Sequence, residues 1–436
     1  MALPTFKNLA VMTVSGTPGT GTITLGAAVP PYLSLTDAGI LTGQKVTYSI
    51  IDGTSGSEIG QGTYTTSGTT LTRDTVYRST GSGNTAKISV SSAAIVEITI
   101  AAEDVLNLIT PNFRNILIAN GGLEVWQRGA GGSASFSQAA STPGYTADRW
   151  YFFNGATQAS VIDQVAGLST QSRFAARVRR NSGQTGTGVM RFEYPLTTEE
   201  CIALRGQNIT FQAWLATGAN WSPSSGNLVV NAYFGTGTER ARAATGFTGE
   251  TNPLSTTLAI AAGTAGAQST FTGGSAVATN VTQGCLQFSW TPVGTAGAAD
   301  DFTVDDVQLE VGTAASVFER LSFAAALAEC QRHYFKTFSY STAPAQNAGL
   351  TGAVGALDLG TTAGGTAGGA WVNFPVLMRT TPTCTVYNPS AANTKWSDAS
   401  LSGISNAGDG GVTLTMTPFP LAQQMTYIHL TADAGL

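Results

Sequence analysis

Short runs in which apolar and polar residues alternate singly recur along most of the chain, the period of strands with one buried and one wet face. Near the start, Gly21 to Leu25 is such a run, and Lys45 to Ile51 is another, ending at an Asp52-Gly53 turn. Gly62 to Thr65, a Ser67-Gly68 turn and Thr69 to Arg73 read as a hairpin. Val96, Ile98 and Ile100 share one face of a strand whose other face shows Glu97 and Thr99. These elements predict a small β domain over residues 1–103.

The period changes between Ala101 and Ile109, where a short helical pattern stops at Thr110-Pro111, because proline cannot continue the helical ladder. A short helix or linker is expected over 104–114. Strand-like segments then follow at Asp148 to Phe153, Arg173 to Arg180, Met190 to Tyr194, Ile209 to Leu215, Leu228 to Phe234, Cys285 to Trp290 and Phe302 to Leu309. Their regular spacing over 115–320 predicts a two-sheet sandwich. The stretches Thr256 to Val277 and Gly360 to Ala370, almost wholly Ala, Gly, Thr and Ser, read as exposed loops. Phe323, Leu327, Cys330 and Tyr334 line one face of a helix expected over 321–337. Residues 338–436 return to β signals at Trp371 to Phe374, Thr383 to Tyr387 and Val412 to Thr417.

Composition narrows the reading. With 52 Gly and 11% charged residues, against a usual share of roughly 25% charged, but 42% hydrophobic ones, the chain is folded and turn-rich rather than disordered or coiled coil. The fold class expected is mainly β. A net charge of −5 offers no basic face for nucleic acid. No stretch reaches the roughly 20 apolar residues of a membrane span, and the start lacks the apolar core of a secretion signal. The chain is therefore expected to be made in a cytoplasm, without membrane insertion. The four cysteines, Cys201, Cys285, Cys330 and Cys384, and the two histidines, His333 and His429, have no zinc-site spacing and read as isolated side chains.

Asn115 to Gly129 (Asn-Ile-Leu-Ile-Ala-Asn-Gly-Gly-Leu-Glu-Val-Trp-Gln-Arg-Gly) and Tyr145 to Trp150 resemble a segment of bacteriophage fibre proteins. Asp301 to Gly312, Phe318 to Arg320 and Glu329 to Tyr334 are similar to the closing strand and exit helix of the same module. The outer elements of this block, Asn120 to Glu124 and Val304 to Val307, also resemble jelly-roll carbohydrate-binding modules. Gly19 to Gly26 and Gly62 to Arg73 look like a domain found at the virion-proximal end of phage fibres, and residues 371–384 with Tyr427 to Leu436 resemble fibre C-terminal domains. The resemblance touches the whole chain, through motifs that are structural rather than catalytic. It implies an N-terminal virion-attachment domain, a central jelly roll and a β tip. It also implies a virion location, with another virion protein and a host surface polysaccharide as partners. Carried over from the carbohydrate-binding modules, it implies a structural calcium on Glu124 and Asp305, which a hydrogen-bonded turn explains equally well. No other cofactor is expected.

Candidate chemistry is sparse. There is no Gly-x-Ser-x-Gly elbow and no phosphate loop. The acid pairs Glu199-Glu200, Asp300-Asp301 and Asp305-Asp306 are adjacent in sequence; on a strand, adjacent side chains point to opposite faces, so no single pair makes a glycosidase dyad. No enzymatic activity is expected. Sugar recognition favours aromatic faces beside planar polar groups. Strand parity puts Ile209, Phe211, Ala213 and Leu215 inside and leaves Gln212 and Trp214 outside; it likewise leaves Asn231 and Tyr233, and Arg191 and Glu193, outside. If these strands share one sheet, Trp214, Gln212, Tyr233, Asn231, Arg191 and Glu193 form one glycan-facing patch. The other reading puts Trp214 against a neighbouring subunit or a loop. Arg173, Arg177, Arg179 and Arg180 read as edge charges or as a site for an anionic glycan.

The function expected is a structural phage fibre, in the first place a tail fibre binding a host glycan without catalysis. The alternatives are a head fibre on capsid or neck and a polysaccharide depolymerase. A homotrimer is expected, since three chains could bury the apolar stripes of the two helices around a shared axis.

Overall fold

The computed structural model describes residues 5, 7–104, 118–139, 141, 143–155, 158–243, 245–357, 368–398, 400–417 and 425–435. They are mainly β, with few short helices. The chain divides into two compact units, Met1–Phe113 and Arg114–Leu436.

The first unit holds β1 (Val11–Val14), β2 (Ile23–Ala28), β3 (Lys45–Asp52), β4 (Gly56–Thr65), β5 (Thr70–Leu71), β6 (Thr75–Ser79) and β7 (Ile95–Ile98). They pair in the order β3-β7-β1-β2-β5-β4-β6, and β3 also pairs with β4, so the path closes on itself. Val46, Tyr48, Ile50, Val96 and Ile98 from alternating positions fill its core. Ile100 departs from the expected face: the strand ends at Ile98 and Ile100 is 54% exposed. Inside this unit lies a buried ion pair. Glu58 accepts from Arg73 Nε at 2.8 Å, from Arg73 Nη2, from Tyr48 Oη at 2.8 Å and from Ile88 N at 2.9 Å. Of the expected Ala101 to Ile109 helix, residues 101–104 are described and 102–104 are helical; the rest of that helix and most of the 104–114 linker lie outside the described residues.

In the second unit, β8 (Ser135–Gln138) to β19 (Asp301–Val311) build the jelly-roll sandwich. One six-stranded antiparallel sheet contains β9 (Gly144–Tyr145), β10 (Tyr151–Asn154), β13 (Met190–Leu196), β15 (Asn227–Gly235), β16 (Thr251–Ala259) and β18 (Gln283–Trp290). The other contains β8, β11 (Ser160–Ala166), β12 (Phe174–Arg180), β14 (Ile209–Thr217), β17 (Ala267–Thr272) and β19. Their facing side chains, among them Trp126, Trp150, Phe192, Phe211, Phe288 and Trp290, form one continuous core. The expected loop from Thr256 to Val277 is corrected: it supplies the end of β16 and all of β17, the outer strand of each sheet. Residues too small to order themselves are ordered here by backbone ladders to β15 and β14, with Leu254 and Phe271 as buried anchors. Gly368 to Ala370 likewise belong to a strand rather than a loop, while residues 360–367 lie outside the described ones.

The arginines of β12 are not edge charges. β12 lies between β19 and β11; Arg177 and Arg179 pair with Asp163, and Arg180 is buried on Asp300 at 2.7 Å.

After the sandwich come α1's later counterpart and the C-terminal strands, α1 itself being Thr198–Leu204, inserted between β13 and β14. The second helix, α2 (Phe323–Gln331), is shorter than expected, because Tyr334 already belongs to β20 (Tyr334–Lys336). Its Ala326 and Cys330 pack on Val125, with Leu327 and Tyr340 beside them, while Phe323, edge-on to Tyr340, stays 39% exposed. β20, β21 (Val354–Leu357) and β23 (Thr383–Tyr387) pair with the long β26 (Met425–Asp433). Against them packs a three-stranded sheet of β22 (Gly368–Asn373), β25 (Gly411–Thr417) and β24 (Leu401–Ser405), around Val372, Trp396, Leu414, Met416, Ile428 and Leu430.

Candidate functional site

Parity correctly chose the outward side chains, but the six expected glycan-facing residues do not meet. Trp214 and Gln212 are on β14, in one sheet; Arg191 and Glu193 on β13 and Asn231 and Tyr233 on β15 are in the other. Outward faces of opposed sheets look away from each other, so the proposed patch is two separate surfaces. Each is already occupied. Gln212 donates to Ser316 O at 2.8 Å and is covered by the segment after β19. Trp214, half-buried, sits across from Gln268 and Asp305 in the ladders on either side. Glu193 is fully buried, accepting from Ala243 N at 2.9 Å and Gln287 Nε2 at 2.8 Å, and burial pushes its carboxyl above the ordinary range. Asn231 is buried, Arg191 lies over Phe153, and Arg242 covers the Tyr233 ring at 3.7 Å.

Glu124 and Asp305 also do not share a centre. Glu124 pairs with Arg320 at 3.3 Å, and the same guanidinium pairs with Asp306. Asp305 accepts from Leu168 N at 2.8 Å, Ser172 Oγ at 2.9 Å and Asp306 N at 2.7 Å. Burial, then the neighbouring Asp306 charge, push it up to about 7. A calcium cage needs six to eight oxygens around one point. These residues instead surround an arginine and a set of N–H and O–H donors, which does not fit the ion.

A different surface brings aromatic and polar groups together. It is an open groove of about 620 Å³ whose floor is the outward face of β20, β26 and β23. Register fixes its rows: Tyr334, Asp433 and Thr383 lie side by side, and Lys336, Thr431 and Thr385 form the next row. Along β23, alternation puts Thr383, Thr385 and Tyr387 on the groove side and Cys384 and Val386 toward the core. Two residues of the sandwich complete the wall. Arg128 lies between the rings of Tyr334 and Tyr145, 4.0 and 4.7 Å from their centroids, and Tyr145 is braced edge-on by Tyr151 at 5.0 Å.

The electrostatics of this wall are fixed. Arg128 donates to both oxygens of Asp433, at 2.6 and 3.1 Å, and Gly435 N donates at 2.9 Å. Burial alone would raise the Asp433 carboxyl, but the guanidinium outweighs it and holds the group below the ordinary carboxylate range. Burial pushes the Tyr145 hydroxyl up to about 12, so it stays a neutral donor and acceptor. On the same face as Tyr334, Lys336 donates to the carbonyls of Gly129, Tyr340 and Thr342 at 2.7 to 3.1 Å, tying the sandwich to β20. The result is a rigid surface with ring faces, a paired carboxylate and guanidinium, and hydroxyls in a row about 13 Å long from Thr383 to Tyr387.

A second cavity, of about 480 Å³, contains the Glu199-Glu200 pair. Its charges are internally matched. Glu200 caps the first turn of α1 through Thr197 and pairs with Arg149 at 3.0 Å, while Glu239 pairs with Arg379. Arg149 also contacts Nε2 of His333, whose other ring nitrogen faces Gly435 O at 3.1 Å.

No protein-family model matches the sequence, and no curated protein matches it. Solved structures with partial likeness include the enzymatically active domain of bacteriophage CBA120 tailspike protein 4 (TM-score 0.26, 8% identity, 45% of this chain and 21% of that one). Others are the module TmCBM61 in complex with β-1,4-galactotriose (TM-score 0.26, 11% identity, 46% and 99%) and a Stig cyclase from Fischerella sp. TAU (TM-score 0.28, 13% identity, 46% and 99%). A phage tailspike and a carbohydrate-binding module are thus among the weak structural neighbours. The matched part spans only about a fifth of the tailspike chain. At such TM-scores none of these likenesses bears on what this chain does.

Proposed function

We propose that this chain is a structural fibre protein of a phage particle, a tail fibre that holds a host surface glycan by non-catalytic binding in the groove between Arg128, Tyr145, Tyr387 and Asp433. The observation behind the binding reading is the groove itself. A pyranose offers an apolar C–H face and a rim of hydroxyls; Tyr387 supplies a ring face, Tyr145 a neutral hydroxyl, the Arg128–Asp433 pair a fixed donor and acceptor, and Thr383 and Thr385 add hydroxyls. Hydrolysis by the usual route takes two carboxylates flanking the scissile bond. Among the described residues lining this groove the one carboxylate is Asp433, already bidentate on a guanidinium. The fibre assignment is supported by the sequence motifs of both units, and in it the first unit attaches to another virion protein. Weak sites on a multimeric particle add by avidity, gaining on the order of 10² to 10⁴ over one site.

An array of bacterial surface glycans probed with the full chain tests this reading. A subset of saccharides should retain the protein, and Tyr387→Ala should release it while its circular dichroism is unchanged. Retention of no glycan, or equal retention of the variant, would overturn the assignment.

A further inference from the structure

A second aromatic surface lies on the outward face of β22, β25 and β24, a sheet that contributes no residue to the groove. Trp371 is 53% exposed, whereas Trp126, Trp150, Trp221, Trp290 and Trp396 are all buried. Its neighbours in sequence, Ala370 and Val372, point into the C-terminal core, so parity sends the indole outward. Register places Trp371, Thr413 and Ser405 in one row across the three strands and Gly369, Thr415 and Gly403 in the next.

The indole is held rather than free. Its Nε1–H donates to Asn373 Oδ1 at 2.6 Å, which fixes the ring plane. It lies against the backbone of Gly411, where an added Cβ would come 2.6 Å from a ring carbon. One side of the ring therefore rests on glycine, and the half of its surface still in water offers the other. Beside it, a Cβ on Gly403 would sit 2.4 Å from the Thr415 hydroxyl, so glycine at that place keeps the hydroxyl reachable. These rows contain hydroxyls, an amide and an indole and no charged side chain. Leaving a large aromatic ring oriented and in water is unfavourable by area. A packing partner from another chain would be expected to meet a broad apolar patch, but the rows next to Trp371 are Thr, Ser and Gly, and the exposed leucines near them, Leu377 beside Gly410 and Leu401 two rows away on β24, are single side chains.

We infer that Trp371, with Asn373, Thr413 and Thr415, is a second glycan platform, selective for an uncharged pyranose stacked on the exposed indole face. The inference rests on the reading that the chain binds glycans, but on a surface whose residues the groove does not use. Two sites on one chain let an extended or branched saccharide bind at both, with the second contact made at raised effective concentration.

The test titrates the full chain with uncharged oligosaccharides (gluco-, galacto- and manno-oligosaccharide series), following tryptophan fluorescence and, in parallel, calorimetric stoichiometry. Wild type should give a saturable fluorescence change and two sites. Tyr387→Ala should lose one site and keep the fluorescence change. Trp371→Ala should lose the fluorescence change and one site, and Trp371→Phe should recover binding to within about tenfold, an aromatic face being kept. The platform is overturned if the fluorescence change persists in Trp371→Ala, or if wild type gives one site that Tyr387→Ala abolishes. Trp371-dependent self-association in sedimentation, without any sugar response, would also overturn it by making the face a contact between chains. Loss of the groove site alone would count against the groove and leave the platform standing.

Discussion

Glu58→Gln should cost the N-terminal unit far more than an ordinary substitution of similar shape. The Glu58 carboxylate takes four hydrogen bonds, two from the Arg73 guanidinium, one from the Tyr48 hydroxyl and one from Ile88 N, and neither charged side chain is exposed at all. Arg73 itself also donates to the carbonyls of Gly19 and Ile88, so it cannot swing out to water without breaking further bonds. Glutamine keeps the volume, removes the charge and turns one acceptor into a donor facing N–H groups. An uncompensated buried charge typically costs about 3 to 5 kcal/mol. For a unit of roughly 100 residues each kcal/mol moves the midpoint by about 4 °C or more, so a drop of at least about 12 °C is expected. Differential scanning calorimetry of the full chain reads this, with Glu97→Gln, an exposed strand position, as the control. A drop under about 3 °C, or one equal to the control, would refute the argument that this pair holds the unit together.

Other outcomes follow from the same reasoning. Arg180→Met should destabilise the sandwich by about 3 to 5 kcal/mol in chemical denaturation, because Asp300 is left buried without its guanidinium. Asp148 is buried and pushed up to about 6 from 3.8 by that burial, against the pull of Arg128 and Gln127. Its raised value means that the folded state holds a proton the unfolded chain has lost; this contribution is present below about pH 4 and disappears as pH rises through about 6. The stability of Asp148→Asn relative to wild type should therefore improve by about 3 kcal/mol between pH 4 and pH 7, and a difference independent of pH would contradict it. Trp214→Ala, on the sheet opposite Arg191 and Tyr233, should leave glycan affinity within about twofold by calorimetry, as expected of a residue outside the groove.

Much of the β architecture was legible because strand parity is a local property. Ile209, Phe211, Ala213 and Leu215 point inward, as do Leu228, Val230, Ala232 and Phe234, and alternation alone says so. Which sheet a strand joins is not local. β13, β14 and β15 are consecutive, yet the middle one lies in the opposite sheet, and nothing in a period of two records that crossover. Combining their outward residues into one patch failed for that reason. β16 and β17 were missed because their support comes from neighbouring backbones and not from their own Ala, Gly and Thr side chains.

The groove was only half visible. Thr383 to Tyr387 reads in sequence as a strand, and the alternation of Thr383, Thr385 and Tyr387 with Cys384 and Val386 is visible there, but which face lines the groove is fixed only by its pairing with β26. The remaining wall joins Arg128 and Tyr145 to Tyr334 and Asp433, contacts that span up to 305 positions of sequence. Tyr334 was hidden by a helical spacing that runs through it, whereas the helix stops at Gln331 and the chain turns into β20. A buried lysine, Lys336, tied to three carbonyls, fixes that turn in place and has no signature in sequence.

Calorimetric titration of the intact chain with fragments of a surface polysaccharide it retains, with new reducing ends assayed in the same cell, tests the central claim most directly. Saturable binding, weakened roughly tenfold or more in both Tyr387→Ala and Arg128→Ala and accompanied by no new reducing ends, is the predicted result. Accumulating reducing ends, or affinity unchanged in both variants, would contradict it.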